Sequence, residues 1–193
     1  MNKKTILLVF AMFGLPVVLA TLMHSQWLDW TPASTRNHGT LIQPVIQWGQ
    51  RSVTDVEGNE VSVQTLSGQW QIVLMTDTAC TDKCLQDLYW IRQIRLAQDR
   101  HVPEVGLVFI SKPKLSPALI DEITALSEVF VVIDGEQAEQ LSVLFPQTEG
   151  SGRFLMDPMA NVIMSYRAEQ EPDDIRKDLG RLLTWTQTKQ LTN

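Results

Sequence analysis

The order of apolar segments predicts an α/β domain: a partly parallel sheet flanked by helices, with an N-terminal hairpin extension and a single N-terminal transmembrane helix. Three observations predict it. Strand-length apolar runs alternate with segments of helical periodicity from Leu41 onward. A hairpin and a closing helix follow the last alternation. An uncharged run of 18 residues, Ile6 to Met23, stands near the N-terminus behind Lys3 and Lys4.

As a helix, that run would span roughly 27 Å at about 1.5 Å per residue, close to the roughly 30 Å of bilayer hydrocarbon. It exceeds the apolar core of about 7–15 residues usual in a cleaved signal, so it reads as an uncleaved anchor, although Val18-Leu19-Ala20 imitates a cleavage site. Gly14 and Pro16 are tolerated in a membrane helix. The positive-inside rule keeps Lys3 and Lys4 in the cytoplasm and puts everything beyond Met23 outside, on the periplasmic face of a bacterial inner membrane. The expected organisation is a cytoplasmic head and anchor over 1–25, a tether over 26–40 and a folded domain over 41–193. Trp27 and Trp30 in the tether suit the membrane–water interface.

Within the domain, Ser52-Val53-Thr54-Asp55-Val56 and Glu60-Val61-Ser62-Val63 alternate around Glu57-Gly58-Asn59, a hairpin pattern. Gln71 to Met75 reads as a strand buried on both faces. Cys84, Leu85, Leu88, Ile91 and Ile94 recur at helical spacing, in a helix ending near Arg100 before Pro103. Val105–Ile110 is a second buried strand, Ser116-Pro117 opens a helix with a serine cap and a proline in its first turn, and Val129–Ile133 is a third strand. A helix over Glu136–Phe145 precedes a hairpin, Phe154–Asp157 and Val162–Tyr166 across Pro158-Met159-Ala160-Asn161. Glu171-Pro172-Asp173-Asp174 begins the last helix, with acidic residues where the helix dipole favours them. A closing hairpin and helix after a βαβ unit are what a thioredoxin-like sheet requires.

The 193 residues carry a net charge of −6, and Lys3 and Lys4 lie outside the folded part, leaving the domain more acidic still. Such a body makes a poor nucleic-acid binder, since phosphate contacts need clustered Lys and Arg. Neither a nucleophile–base triad, a phosphate-cradling glycine loop nor a multi-histidine metal cluster is visible. Arg92 and Arg95 share a helix face with Gln98 and read as a solvated face rather than a docking patch. Trp70 and Trp90 read as packing residues.

The chemistry centres on Cys80 and Cys84, the only two cysteines. They are one disulfide, one metal clip or two idle thiols. They stand where a buried strand hands over to a helix, and sites gather at the carboxyl ends of strands in open α/β sheets. Residues four apart on a regular helix have Cβ atoms about 5–6 Å apart, while a disulfide needs roughly 3.5–4.5 Å. To bond, Cys80 must therefore lie in the loop, with Cys84 in the first helical turn and Asp82 as candidate N-cap. The helix N-terminus and Lys83 favour thiolates there, while Asp77 and Asp82 oppose them. Thiolates so placed exchange with other disulfides or bind a soft metal such as Cu(I); a mere staple is the bland alternative, weakened by how little so short a loop stabilises. Both cysteines are thus the candidate catalytic and the candidate metal residues.

The strand followed by Thr78-Ala79-Cys80-Thr81-Asp82-Lys83-Cys84 and an amphipathic helix resembles the Sco/SenC family of cytochrome c oxidase assembly proteins. Phe154-Leu155-Met156-Asp157-Pro158-Met159-Ala160-Asn161-Val162 is similar to that family's strand–turn–strand, and Pro172-Asp173-Asp174-Ile175 with Leu179 and Leu182 to its terminal helix. Asn37-His38-Gly39 and Leu88 to Leu96 resemble small membrane-anchored Sco-like factors of oxidase biogenesis. The resemblance implies copper, as Cu(I), held by two cysteines and a histidine and delivered to the binuclear centre of oxidase subunit II, or else reduction of that centre's cysteines. It also implies a cytochrome c oxidase subunit or other assembly factors as partners, beside the inner membrane. The chain departs from the family at the histidine: Gln147 to Arg153, where it belongs, has none. Glu149 is a hard substitute, His24 sits at the membrane edge, His38 lies in the tether, and His101 is expected about 25 Å along the cysteine helix. The spacing of the pair also differs from the two-residue spacing of thioredoxin motifs, and Ser151 and Gly152 stand where thiol oxidoreductases place a cis-proline. Two further readings remain open: a general thiol–disulfide oxidoreductase, with Cys80 attacking and Cys84 resolving, and an interaction module whose disulfide only holds the loop.

Overall fold

A computed structural model describes residues 3–23, 37–146 and 150–190. The chain divides into two compact units, Met1–Arg36 and Asn37–Asn193. In the first, helix α1 covers Lys3–Met23 with Pro16 inside it. Among the described residues no helix is long and apolar enough to cross a membrane, and the side chains of 6–8, 10, 19–20 and 22–23 lie outside them. The expected run is helical, but a spanning role rests on the sequence alone. The tether residues Trp27 and Trp30, together with His24, lie outside the described residues.

The second unit begins at Asn37, not Leu41, because the last tether residues are tied to it. His38 and Gly39 donate their backbone N–H groups to the Asp178 carboxylate, each at 2.9 Å. Strand β1 (Thr40–Gln47) follows at once. The sequence reading did not place this strand. It has no clean alternation, contains Pro44 after a cis bond, and is largely exposed. Proline and exposure both suit an edge strand, and β1 is one edge of a six-stranded sheet.

The six-stranded sheet has the order β1-β8-β7-β4-β5-β6, where β4 is Trp70–Thr76, β5 Val105–Ser111, β6 Phe130–Asp134, β7 Ser151–Met156 and β8 Asn161–Tyr166. β4, β5 and β6 run parallel, while β7, β8 and β1 continue the sheet antiparallel. β4 and β5, both interior to the sheet, are buried along their whole length, which explains their continuous apolar composition. The expected hairpin forms a separate pair, β2 (Ser52–Thr54) with β3 (Glu60–Ser62). The second strand stops early because Ser62 donates its N–H to the Thr65 hydroxyl at 2.8 Å and the chain enters the short helix α2 (Val63–Leu66).

The sheet has a core on each face. On one, Ile72, Leu74, Phe109 and Leu155 pack with Cys84, Leu88, Ile91 and Ile94 of α3 (Asp82–Leu96), Ile123 of α4 (Pro117–Leu126), and Ile175, Leu179 and Leu183 of α6 (Pro172–Gln190). The spacing 84, 88, 91, 94 makes one stripe of α3, and that stripe faces the sheet. On the other face, Val73, Met75, Phe154 and Met156 pack with Val53 and Val61 of the hairpin, Ala138 and Leu141 of α5 (Gly135–Leu141), and the fully buried Trp48. The expected α4 cap is present: the Ser116 hydroxyl accepts from Leu119 N–H, with Pro117 at the first helical position. α3 ends at Leu96, short of Arg100, and a 3₁₀ turn over Asp99–Glu104 follows. His101 therefore lies on that turn, paired with Glu104 at 2.8 Å, and not on the cysteine helix.

Candidate functional site

The backbone between β4 and α3 turns out of the sheet at Thr76. The buried Thr76 hydroxyl donates to the Thr78 carbonyl at 3.0 Å and accepts from Thr78 N–H at 3.3 Å. Its own carbonyl takes the N–H of Lys112, from the loop after β5, at 3.0 Å. Across the sheet, Thr76 is in register with Ser151 at the start of β7, whose hydroxyl donates to Thr76 Oγ1 at 3.3 Å. Gly150 carries φ +85 and offers its carbonyl to Asp77 N–H at 2.9 Å. Ser151 thus faces the cysteine loop, at the position the sequence comparison with cis-proline enzymes singled out. Glu149 lies outside the described residues.

Thr81, in extended conformation, is the N-cap of α3, one residue before the expected Asp82, which occupies the first turn. This leaves Cys80 in the loop and Cys84 in the first turn. The two sulfurs are bonded, with Cα atoms 5.1 Å apart. The geometry selects the disulfide among the three states open to the pair. Cys84 is 5 % exposed and belongs to the core, while Cys80 is only partly buried against it. A pocket beside the bond is lined by Thr76, Thr78, Lys83, Cys84, Gly150 and Ser151, with Ala168 from the loop after β8. The sulfurs are presented at the carboxyl end of β4, where a second molecule can reach Cys80.

Two charged residues on the Cys84 side of the sheet carried no signal in the sequence. Arg153 in β7 is 3 % exposed, and its Nη2 donates to the carbonyls of Arg167, Ala168 and Gln170 at 2.8, 2.9 and 2.8 Å. Asp87, one turn beyond Cys84, has its carboxyl pushed up by burial, against the opposing pull of the Arg153 and Lys83 charges. Only the register of β7 shows which face Arg153 takes.

The histidines lie elsewhere. His38 Nδ1 is 3.2 Å from Asp174 Oδ1 on α6, and His101 follows the far end of α3. Among the described residues no group of three or more His, Cys, Asp and Glu side chains is arranged to hold a metal ion. Arg95 also departs from its expected solvated role, because its Nε donates to the Val105 carbonyl at 2.7 Å. Trp70 packs in the core as expected. Trp90 is 42 % exposed and stacks edge-on against Tyr89, with ring centroids 5.6 Å apart.

A parallel βαβ unit closed by an antiparallel hairpin and helix, with a disulfide at the strand–helix junction, defines a thioredoxin-like protein. The chain belongs to the family of the transmembrane-like, thioredoxin-like, C-terminal domain, which matches residues 70–186. Its fold is also that of the Sco/SenC proteins. Copper-bound ScoI of Arabidopsis thaliana superposes with a TM-score of 0.57 at 17% identity, covering 76% of this chain and 98% of that one. BsSco, described as a member of the Sco family of cytochrome c oxidase assembly proteins with a disulfide switch, gives 0.54 at 16% identity, covering 70% and 92%. MTB dsbF, in mixed oxidised and reduced forms, gives 0.52 at 18% identity, covering 66% and 91%. No curated protein matches significantly.

Proposed function

We propose that this chain is a membrane-anchored, periplasmic factor of cytochrome c oxidase assembly that works by thiol–disulfide exchange through Cys80 and Cys84. The observation that carries the reading is the disulfide at the strand–helix junction, with Cys80 on the accessible side and Cys84 in the core. In the reduced protein, Cys80 is the attacking thiol. Its thiolate bonds to one sulfur of a partner disulfide and releases the other. Cys84 then attacks Cys80, reforms the internal bond and frees the partner as a dithiol. Two electrons pass to the partner. The Sco-like fold supports an oxidase subunit, or another assembly factor, as that partner. The uncharged run from Ile6 to Met23 behind Lys3 and Lys4 supports the anchor and the periplasmic location.

Copper delivery is the second reading, favoured by the copper-bound structure of similar fold. Reduced, Cys80 and Cys84 offer Cu(I) two soft thiolates. The histidines within the described residues are paired with carboxylates away from the cysteines, so the third ligand of the Sco pattern has no candidate among them. Exchange therefore fits the residues better than metal transfer.

The test uses the Cys84→Ser chain, which retains Cys80 and cannot resolve. Incubated with the oxidised copper-centre domain of oxidase subunit II, it should accumulate a mixed disulfide that Cys80→Ser does not form. Absence of that adduct, with stoichiometric Cu(I) binding by the reduced wild type that Cys80→Ser abolishes, would replace exchange by copper delivery.

A further inference from the structure

We infer that Arg153 is a positioning residue of the cysteine pair: its buried guanidinium, held by the carbonyl of the pocket-lining Ala168, stabilises the negative charge that Cys84 takes up when the disulfide opens. This rests on the exchange reading above and goes beyond it by naming what sets the balance between disulfide and dithiol.

Placement comes from the sheet. Side chains two apart on a strand share a face. Leu155 of β7 packs in the cluster that contains Cys84, whereas Phe154 and Met156 belong to the opposite one. Ser151 and Arg153 therefore point to the Cys84 side. Ser151 lines the pocket with Cys84, and so does Ala168, whose carbonyl holds Arg153 Nη2 at 2.9 Å. In β4 the partner of Arg153 is Leu74, another member of the Cys84 cluster.

Carbonyl dipoles orient a guanidinium without cancelling its formal charge. Three of them on one nitrogen fix Arg153 at a cost in desolvation that a purely apolar residue would avoid. Asp87 registers the Arg153 charge from one turn past Cys84, and Lys83 adds a second positive group. Cys84 itself is nearly closed to water, so a charge on its sulfur depends on protein groups more than one on Cys80 does.

The reaction shows where that charge appears. The thiolate of a small thiol attacks Cys80 Sγ and forms a new S–S bond. The Cys80–Cys84 bond breaks, and its electron pair leaves on Cys84 as thiolate. A second thiol then attacks the mixed disulfide, releasing the oxidised small molecule and Cys80. A positive charge held near Cys84 favours the first step and the dithiol product. A unit charge several ångströms away, at the effective dielectric of protein interiors, is worth on the order of tenfold in that equilibrium.

The experiment equilibrates the full chain in glutathione buffers at fixed pH and ionic strength, comparing wild type with Arg153→Met, Arg153→Gln and Arg153→Lys. Arg153→Met is expected to lower the equilibrium constant for reduction by about tenfold, a potential about 30 mV more negative. Arg153→Gln keeps hydrogen-bond donors without charge and should shift equally, which covers the case where the methionine variant does not fold. Arg153→Lys should stay near wild type. Folded neutral variants with the wild-type potential, or a lysine variant shifted as far as they are, would overturn the inference. A wild-type disulfide that never exchanges with glutathione would instead strike at the exchange reading itself.

Discussion

The phenol of Tyr166 donates to the Asp178 carboxylate at 3.1 Å, with both side chains buried, the one ending β8 and the other in the middle of α6. The same carboxylate takes the backbone N–H groups of His38 and Gly39, so one buried acceptor ties the entry of the second unit to its last strand and last helix. Burial, and then the Asp178 charge, push the Tyr166 hydroxyl far above its ordinary value of 10.0. The folded state therefore keeps this proton where the unfolded chain loses it. The corresponding stability is fully present below about pH 10 and declines as pH rises beyond it. Urea unfolding from pH 8 to 11 should show that decline, and Tyr166→Phe should flatten it.

Gly39 sits against that ring. A Cβ built on it would meet Tyr166 ring atoms at 2.6 and 2.7 Å. Because Tyr166 is held by its hydrogen bond, it cannot simply turn aside. Gly39→Ala is expected to cost about 1–3 kcal/mol, the range of overpacked cores, as a lower urea midpoint with unchanged slope.

How much could be read beforehand depended on where the information lies. The strand–helix alternation, the cap at Ser116 and the closing hairpin were legible because their signals are local: apolar period, a serine–proline pair, an aspartate-proline turn. Helix spacing alone placed Cys80 in the loop for the case of a bond, but it left open whether the pair was bonded, and the cap fell at Thr81 instead of Asp82. β1 was not legible, since a mostly exposed edge strand holding Pro44 lacks both alternation and a continuous apolar run. Arg153 stayed hidden because a single arginine in a strand acquires its meaning only from register. His101 was misplaced because nothing local announced that α3 stops at Leu96.

The tryptophans separate core from surface. Trp48 is fully buried and donates Nε1–H to the Arg51 carbonyl at 3.0 Å, whereas Trp90 is partly exposed and lines a pocket between α3 and Pro172, Asp173 and Arg176 of α6. Trp48→Ala should cost about 3–5 kcal/mol, and Trp90→Ala should cost clearly less, because its ring is already in part open to water. Paired denaturation curves check the contrast.

Opening the disulfide should leave the domain folded. A loop closed between residues four apart contributes about 2 kcal/mol in the chain-entropy model, a small part of the burial on the two faces of the sheet. Reduced and oxidised protein should therefore give the same far-ultraviolet dichroism, with the reduced form melting modestly lower. A pair that must cycle needs such a scaffold.

The most direct test of exchange through Cys80 and Cys84 is the reduction potential of the wild-type chain. A value between about −120 and −270 mV, the span of thiol–disulfide exchange proteins, is what the accessible Cys80 and charge-supported Cys84 predict. A value below about −300 mV, where structural disulfides lie, would contradict the account and leave the bond as a staple on a thioredoxin-like scaffold.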